Sequence, residues 1–201
     1  LTVDGGASKR ERANRVVTSA PPIRVPPGAH HVSADPNALI VTVLGSCVAA
    51  CIRDRIGGIG GMNHFMLPQS DSGNWGKATA SLRYGNFAME RLINDLLMRG
   101  AKRENLEIKV FGGANVLNLD ANIGWKNADF VEAYLATEGF AIAAQHLRGT
   151  YPRRVHYFPG TGKAQVLELR RREDLVVVEA ERTYGRNLTS EPIDGSVELF
   201  D

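Results

Sequence analysis

A thiol and an imidazole stand seventeen residues apart in a stretch that is otherwise almost wholly apolar or glycine. The stretch runs from Val41 to Pro68 and reads VTVLGSCVAACIRDRIGGIGGMNHFMLP. Cys47 follows a Gly45-Ser46 step, and His64 sits within Met62-Asn63-His64-Phe65-Met66. A cysteine is a nucleophile, and a histidine is the base that can activate it. Gly45 and Ser46 matter to the same chemistry. Where a strand ends in a sharp turn, exposed backbone N–H groups lower a thiol pKa and hold an oxyanion. Thr42 and Ser46 place hydroxyls close to Cys47. Either can orient the imidazole or bind a substrate amide, and either can equally serve a strand or turn hydrogen bond. The plainer alternative is a core role: a free cysteine among apolar residues commonly just packs, and so does a lone histidine in an apolar strand. Cys51 lacks the Gly-Ser setting and is read as packing.

Such residues need elements to hold them. Leu39 to Val43 reads as a strand, favoured by β-branched residues. Val48 to Arg53 fits either a second strand or a short helix. Asp54 to Gly58 is a turn, and Ile59 to Met66 a strand that Pro68 ends. Gln69 to Lys77 is polar and glycine-rich, so a loop is expected there. Ser81 to Arg99 carries a wide apolar stripe through Tyr84, Phe87, Ala88, Met89, Leu92, Ile93, Leu96 and Leu97, which predicts a helix. Gly100 is its expected C′ residue. Leu106 to Phe111 is a strand closed by a tight turn at Gly112-Gly113-Ala114-Asn115, with a place at a site rim as its other reading. Asn127 is the expected cap of a second helix, Ala128 to Thr137. Phe140 to Ala144 is a further strand. Arg153 to Phe158 and Ala164 to Leu169 flank Pro159-Gly160-Thr161-Gly162-Lys163 as a hairpin. Leu175 to Val178 fits an edge strand. Strands, helix, strand, helix, then strands argue for an α+β fold over regular βαβ alternation.

The chain has 201 residues, of which 43% are hydrophobic and 23% charged, which suits a single domain with a real core. That domain is expected over residues 29–180. Residues 1–28 read as a basic, proline-rich arm, and residues 181–201 as a polar C-terminal tail. A net charge of +2 is no nucleic-acid signature. Two cysteines at C-x3-C spacing make neither a disulfide framework nor a C-x-x-C redox motif. No apolar run is long enough for membrane insertion and no secretory signal is visible, so a cytoplasmic protein is expected. The histidines and carboxylates show no metal-ligand spacing in sequence, and no cofactor is expected. Arg148, Arg153, Arg154 and Lys163 are candidates for a basic surface, with a solvated face as the default.

Six ordered pieces then carry a resemblance: LGSCVAACIRD at Leu44 to Asp54, GGMNHFMLP at Gly60 to Pro68, RYGNFAMERLINDLL at Arg83 to Leu97, KVFGGAN at Lys109 to Asn115, NIG at Asn122 to Gly124, and RRVHYFPGTG at Arg153 to Gly162. Together they resemble the chemoreceptor glutamine deamidase family, CheD, over roughly His30 to Leu169. The resemblance implies a three-layer α-β-β sandwich with mixed sheets, similar to the catalytic domains of glutamine-deamidating toxins. It implies Cys47 as nucleophile, His64 as base and Thr42 as the third catalytic residue. N–H groups around Gly45 and Ser46 would then hold the oxyanion. The implied substrates are glutamines on the cytoplasmic helical domain of methyl-accepting chemotaxis receptors. Some family members also hydrolyse receptor glutamate methyl esters, and some bind the CheC-type phosphatase. Two other classes fit parts of the pattern: a non-catalytic adaptor for receptor or phosphatase, and a cysteine hydrolase of small amides or esters. The presence of both Cys47 and His64 favours catalysis.

Overall fold

The computed structural model describes residues 21–68, 75–116, 122–170, 181, 183–185, 187 and 188, with the backbone alone over 75–80. Its centre is β4 (Val48–Asp54), an apolar strand with neighbours on both faces. Alternate side chains of a strand point to opposite faces. Val48, Ala50 and Ile52 accordingly enter one core, with Leu92, Leu96, Val131 and Leu135 of the helices. Ala49 and Cys51 enter a second core with Ile40, Leu44, Val155 and Tyr157. Burial on both faces explains why alternation alone left this segment open between strand and helix.

β4 belongs to a five-stranded sheet in the order β2 (His30–Ser33), β5 (Gly60–Asn63), β4, β6 (Leu106–Gly112) and β7 (Ile142–Leu147). The β6–β7 pair is parallel and the rest are antiparallel. The second sheet has four strands, in the order β1 (Ile23–Arg24), β3 (Ile40–Leu44), β8 (Arg153–Phe158) and β9 (Lys163–Glu168). Here β1 and β3 are parallel. Helices α1 (Trp75–Met98) and α2 (Ile123–Thr137) cover one face of the five-stranded sheet, and the four-stranded sheet covers the other. The expected α+β class and both mixed sheets are therefore present. No helix among the described residues is long and apolar enough to cross a membrane.

Several boundaries differ from expectation. Order begins before His30: Ile23 and Arg24 pair with Ile40 and Val41, and Val25 is buried. The prolines that suggested an arm flank a two-residue edge strand, a place where proline is tolerated. Trp75 to Lys77 already lies in α1 and not in the expected loop. Phe87 faces solvent, with the Arg91 guanidinium 5.9 Å from its ring centroid. Gly100 does end α1: it has φ +97°, its N–H reaches Leu97, and the Ala101 N–H reaches Leu96, the paired bonds of a Schellman motif. Asn127 does not cap α2, which starts a turn earlier at Ile123. Leu175 to Val178 lies outside the described residues.

Candidate active site

Gly45, Ser46 and Cys47 form the crossover by which the chain leaves the four-stranded sheet at Leu44 and enters the five-stranded sheet at Val48. The crossover is braced from below. The Gly113 N–H donates to the Cys47 carbonyl at 2.7 Å and the Ala114 N–H to the Gly45 carbonyl at 2.8 Å. The FGGAN segment is thus a support under the turn. Gly112 must be glycine here, since it has φ +109° and a Cβ would lie 2.2 Å from the Cys47 carbonyl oxygen. Asn127 braces the other side. Fully buried, it donates to the Ser46 carbonyl at 2.8 Å and accepts from the Leu67 N–H at 2.9 Å.

With its carbonyls held on one side, the crossover turns its N–H groups to the other. Successive N–H groups aimed at one point make an anion-binding nest. A carboxylate fills it. Gly45 N–H and Ser46 N–H each donate to Glu181 at 2.7 Å, Cys47 N–H at 3.3 Å, and the Ser46 hydroxyl at 3.0 Å. Glu181 stands on a helical stretch at the start of the segment that reads in sequence as a polar C-terminal tail. Tyr184 of that stretch meets the hydroxyl of Tyr84 on α1 and packs beside the inter-sheet core.

His64 follows β5 directly. The Val48–Phe65 bridge holds the chain after β5 against the start of β4, which brings the imidazole beside Cys47. Cys47 Sγ, a ring nitrogen of His64 and a carboxylate oxygen of Glu181 all lie within 4.8 Å of one another. Unliganded sites commonly hold such pairs looser than a bond and tighten on binding substrate. These three are the group among the described residues with the donor set and spacing to hold a metal ion.

Thr42 completes the arrangement. Ile40, Thr42 and Leu44 face the inter-sheet core by strand alternation. The Thr42 hydroxyl lies 2.8 Å from the Val25 carbonyl and 2.8 Å from His64 Nδ1. It has one proton, which the carbonyl takes, so it accepts from Nδ1–H. That assigns the tautomer: Nε2 carries the lone pair, and Nε2 has no hydrogen-bond partner. Burial pushes the His64 pKa down, against the opposing pull of Glu181 and the Val25 carbonyl. Burial, then the Glu181 carboxylate, push the Cys47 thiol well up. Both groups are therefore neutral in this state. Burial also pushes up the Cys51 thiol, which packs between the sheets as expected.

Two of the four candidates for a basic surface are engaged within the fold. Arg153 is buried, giving its guanidinium to the carbonyls of His146 and Arg148, and Arg148 pairs with Asp129 and Glu132. A cavity of about 450 Å³ reaches His64 and Glu181 from the side of the four-stranded sheet, with Arg24, Arg154 and His156 around it.

Buried thiol, imidazole of fixed tautomer and backbone anion nest define the class: an α+β protein with a cysteine–histidine active site. Residues 66–168 match the family model described as "CheD chemotactic sensory transduction". The chain is 59% identical over 178 residues to the "Probable chemoreceptor glutamine deamidase CheD" of Rhodopseudomonas palustris (strain BisA53), covering 89% of this chain and 84% of the relative. Proteins of the same description from Thiobacillus denitrificans (strain ATCC 25259 / T1) and Herminiimonas arsenicoxydans are 49% and 50% identical over 179 residues, each match covering 88% of both chains. The chain belongs to the CheD family.

Proposed function

We propose that this protein is a chemoreceptor glutamine deamidase, converting glutamine side chains on the cytoplasmic helices of methyl-accepting receptors to glutamate. The observation that carries the reading is the convergence on one point of the Cys47 thiol, the free Nε2 of His64 and the N–H groups of residues 45–47. The similarity to proteins described as probable chemoreceptor glutamine deamidases supports the substrate.

In this reading His64 Nε2 takes the Cys47 proton, and sulfur attacks the carboxamide carbon. Gly45 and Cys47 N–H groups hold the oxyanion while Thr42 keeps the imidazolium in place. Imidazolium protonates the departing nitrogen, the C–N bond breaks and ammonia leaves. The same imidazole then deprotonates water, which attacks the thioester, and the C–S bond breaks to give glutamate and the thiol. A receptor methyl ester would follow the same path with methanol leaving. Action on receptor cytoplasmic helices places the protein in the cytoplasm, and a CheC-type phosphatase is a further proposed partner. Helices over one face of the central sheet and a second sheet over the other support the likeness to deamidase toxin domains.

The test is the mass of a receptor cytoplasmic fragment incubated with the protein. Each converted glutamine should gain about 1 Da, the replacement of amide by acid. Cys47→Ala should abolish the gain. Undiminished conversion with Cys47→Ala would sink the mechanism, and no conversion of any cognate receptor would favour the adaptor.

A further inference from the structure

We infer that Glu181 occupies the place of the reacting side chain of the substrate, so that the C-terminal helical stretch closes the active site in cis as a bound product. The inference deepens the deamidase reading and rests on it.

The chemistry of the contact comes first. The product of glutamine deamidation is a glutamate side chain, and a glutamate side chain lies in the nest beside the thiol. Its carboxylate takes the Gly45, Ser46 and Cys47 N–H groups and the Ser46 hydroxyl. The Cys47 N–H is the donor nearest the reacting centre, so no substrate carbonyl can use the nest while Glu181 is there. Gly45 makes the approach possible, since a Cβ at that position would lie 2.6 Å from Glu181 Oε2.

A catalytic assignment fits Glu181 less well. The orienting bond to His64 is already made by Thr42 at Nδ1. Glu181 Oε1 is 3.9 Å from Nε2, beyond a hydrogen bond, on the face of the ring that must meet the thiol. A carboxylate beside Cys47 disfavours thiolate, which is the reverse of activating a nucleophile. Access points the same way. Cys47 has 0% of its surface exposed and His64 2%, and Glu181 holds the N–H groups beside them, so a receptor glutamine cannot take its place in the nest until Glu181 moves aside. The hydroxyl contact between Tyr184 and Tyr84 is one contact that must open with it.

The test uses the full chain carrying Glu181→Gln, alone and combined with Cys47→Ala. The substitution sets a carboxamide of the same shape against the thiol. Cleavage then follows the balanced steps above: sulfur adds, ammonia leaves, water releases the acid. Peptide mass spectrometry should find position 181 converted, a gain of about 1 Da, at a rate independent of protein concentration or already complete on purification. The double variant should keep the amide. An amide that persists at position 181 in a preparation that deamidates a receptor fragment overturns the inference and leaves the deamidase reading standing. If neither amide reacts, the deamidase reading has failed, and occupancy of the nest is decided by the thiol alone. Iodoacetamide should then alkylate Cys47 at least about tenfold faster in Glu181→Ala than in the native chain at neutral pH, the gain in thiolate for each unit of lowered thiol pKa. Equal rates in two chains with intact thermal transitions overturn the inference whatever the receptor assay gives. In that assay Glu181→Ala should deamidate several-fold faster than the native chain, and a slower rate would make Glu181 catalytic and overturn the inference.

Discussion

The Thr42 hydroxyl and His64 Nδ1 lie 2.8 Å apart, and the same hydroxyl lies 2.8 Å from the Val25 carbonyl. Because the carbonyl takes the only hydroxyl proton, Thr42 is an acceptor toward the ring and fixes which nitrogen faces Cys47. Thr42→Ala or Thr42→Val should therefore lower kcat for receptor deamidation by about 10–100-fold, the scale of a small misplacement of a catalytic group. KM should change little, and Thr42→Ser should recover most of the rate. Steady-state kinetics on a receptor fragment check this, and a Thr42→Val chain with native kcat would remove Thr42 from the site.

The protonation states carry a second prediction. Burial holds His64 below its ordinary 6.5, so the base form predominates at neutral pH. Falling pH switches activity off only once it passes that lowered value, so the acid limb of kcat/KM should lie below 6.5. Cys47 is displaced the other way, well above its ordinary 9.0, by burial and by Glu181. Alkylation of the native chain should keep rising through 9.0 and beyond. A plateau near neutrality would mean a preformed thiolate–imidazolium pair and contradict the neutral state.

Asn127 joins α2 to the nucleophile crossover through the Ser46 carbonyl and to the chain after His64 through the Leu67 N–H. Asn127→Ala leaves both part-buried backbone groups without that partner, at about 1–3 kcal/mol in all. Urea denaturation should register a loss in that range. Deamidation by the folded fraction should fall as well, because the crossover loses one of its braces. Asn127→Asp should not rescue, since it keeps the acceptor for Leu67 but offers the Ser46 carbonyl no N–H.

Much of this site was legible in the sequence, and its limits have physical causes. Cys47 at a Gly-Ser step and His64 in an apolar strand are local patterns, and the structure brings them together where the chain changes sheets. The Thr42 contact follows from strand alternation once β3 is placed. Asn127 resembles a cap because a helix-favouring run follows it, whereas this asparagine bonds across the fold to residues far away in the chain. Glu181 left no signal at all. One glutamate in a polar segment reads as solvated, and only the tertiary meeting of that segment with residues 45–47 gives it a partner. Val48 to Arg53 stayed ambiguous because a strand buried on both faces loses its alternation. In the same way Arg153 reads as surface charge, whereas carbonyls of β7 and of the loop after it enclose it.

Asp54 contributes to stability in acid. It ends β4 and accepts N–H bonds from Ile56 at 2.8 Å, Gly57 at 2.7 Å and Lys102 at 2.8 Å, tying the β4–β5 turn to the segment after α1. Burial pushes its carboxyl up, but these hydrogen bonds outweigh it and hold the pKa at about 2. A folded-state value below the ordinary 3.8 means the stabilisation is complete above 3.8 and fades as pH falls toward about 2. Asp54→Ala should cost about 1–3 kcal/mol at neutral pH. The gap to the native chain should narrow across that acid window in urea titrations, and a gap independent of pH would assign the loss to packing alone.

Gly45→Ala separates the two uses of the nest. The added Cβ would lie 2.6 Å from Glu181 Oε2 and 3.2 Å from its carboxylate carbon, so it obstructs whichever acyl group the N–H groups hold. Gly45 carries no positive φ, so the backbone accepts alanine without strain. Receptor deamidation should fall by about 100-fold, the scale of an oxyanion held out of reach of one of its donors, since alanine keeps its N–H and only its Cβ stands in the way. Iodoacetamide needs no nest, and displacement of Glu181 lowers the thiol pKa, so alkylation of Cys47 should rise in the same preparation. Opposite changes in the two assays are what one nest shared by Glu181 and the substrate requires. A fall in both would mean that alanine at position 45 blocks the thiol itself, and a rise in both that substrate does not use these N–H groups.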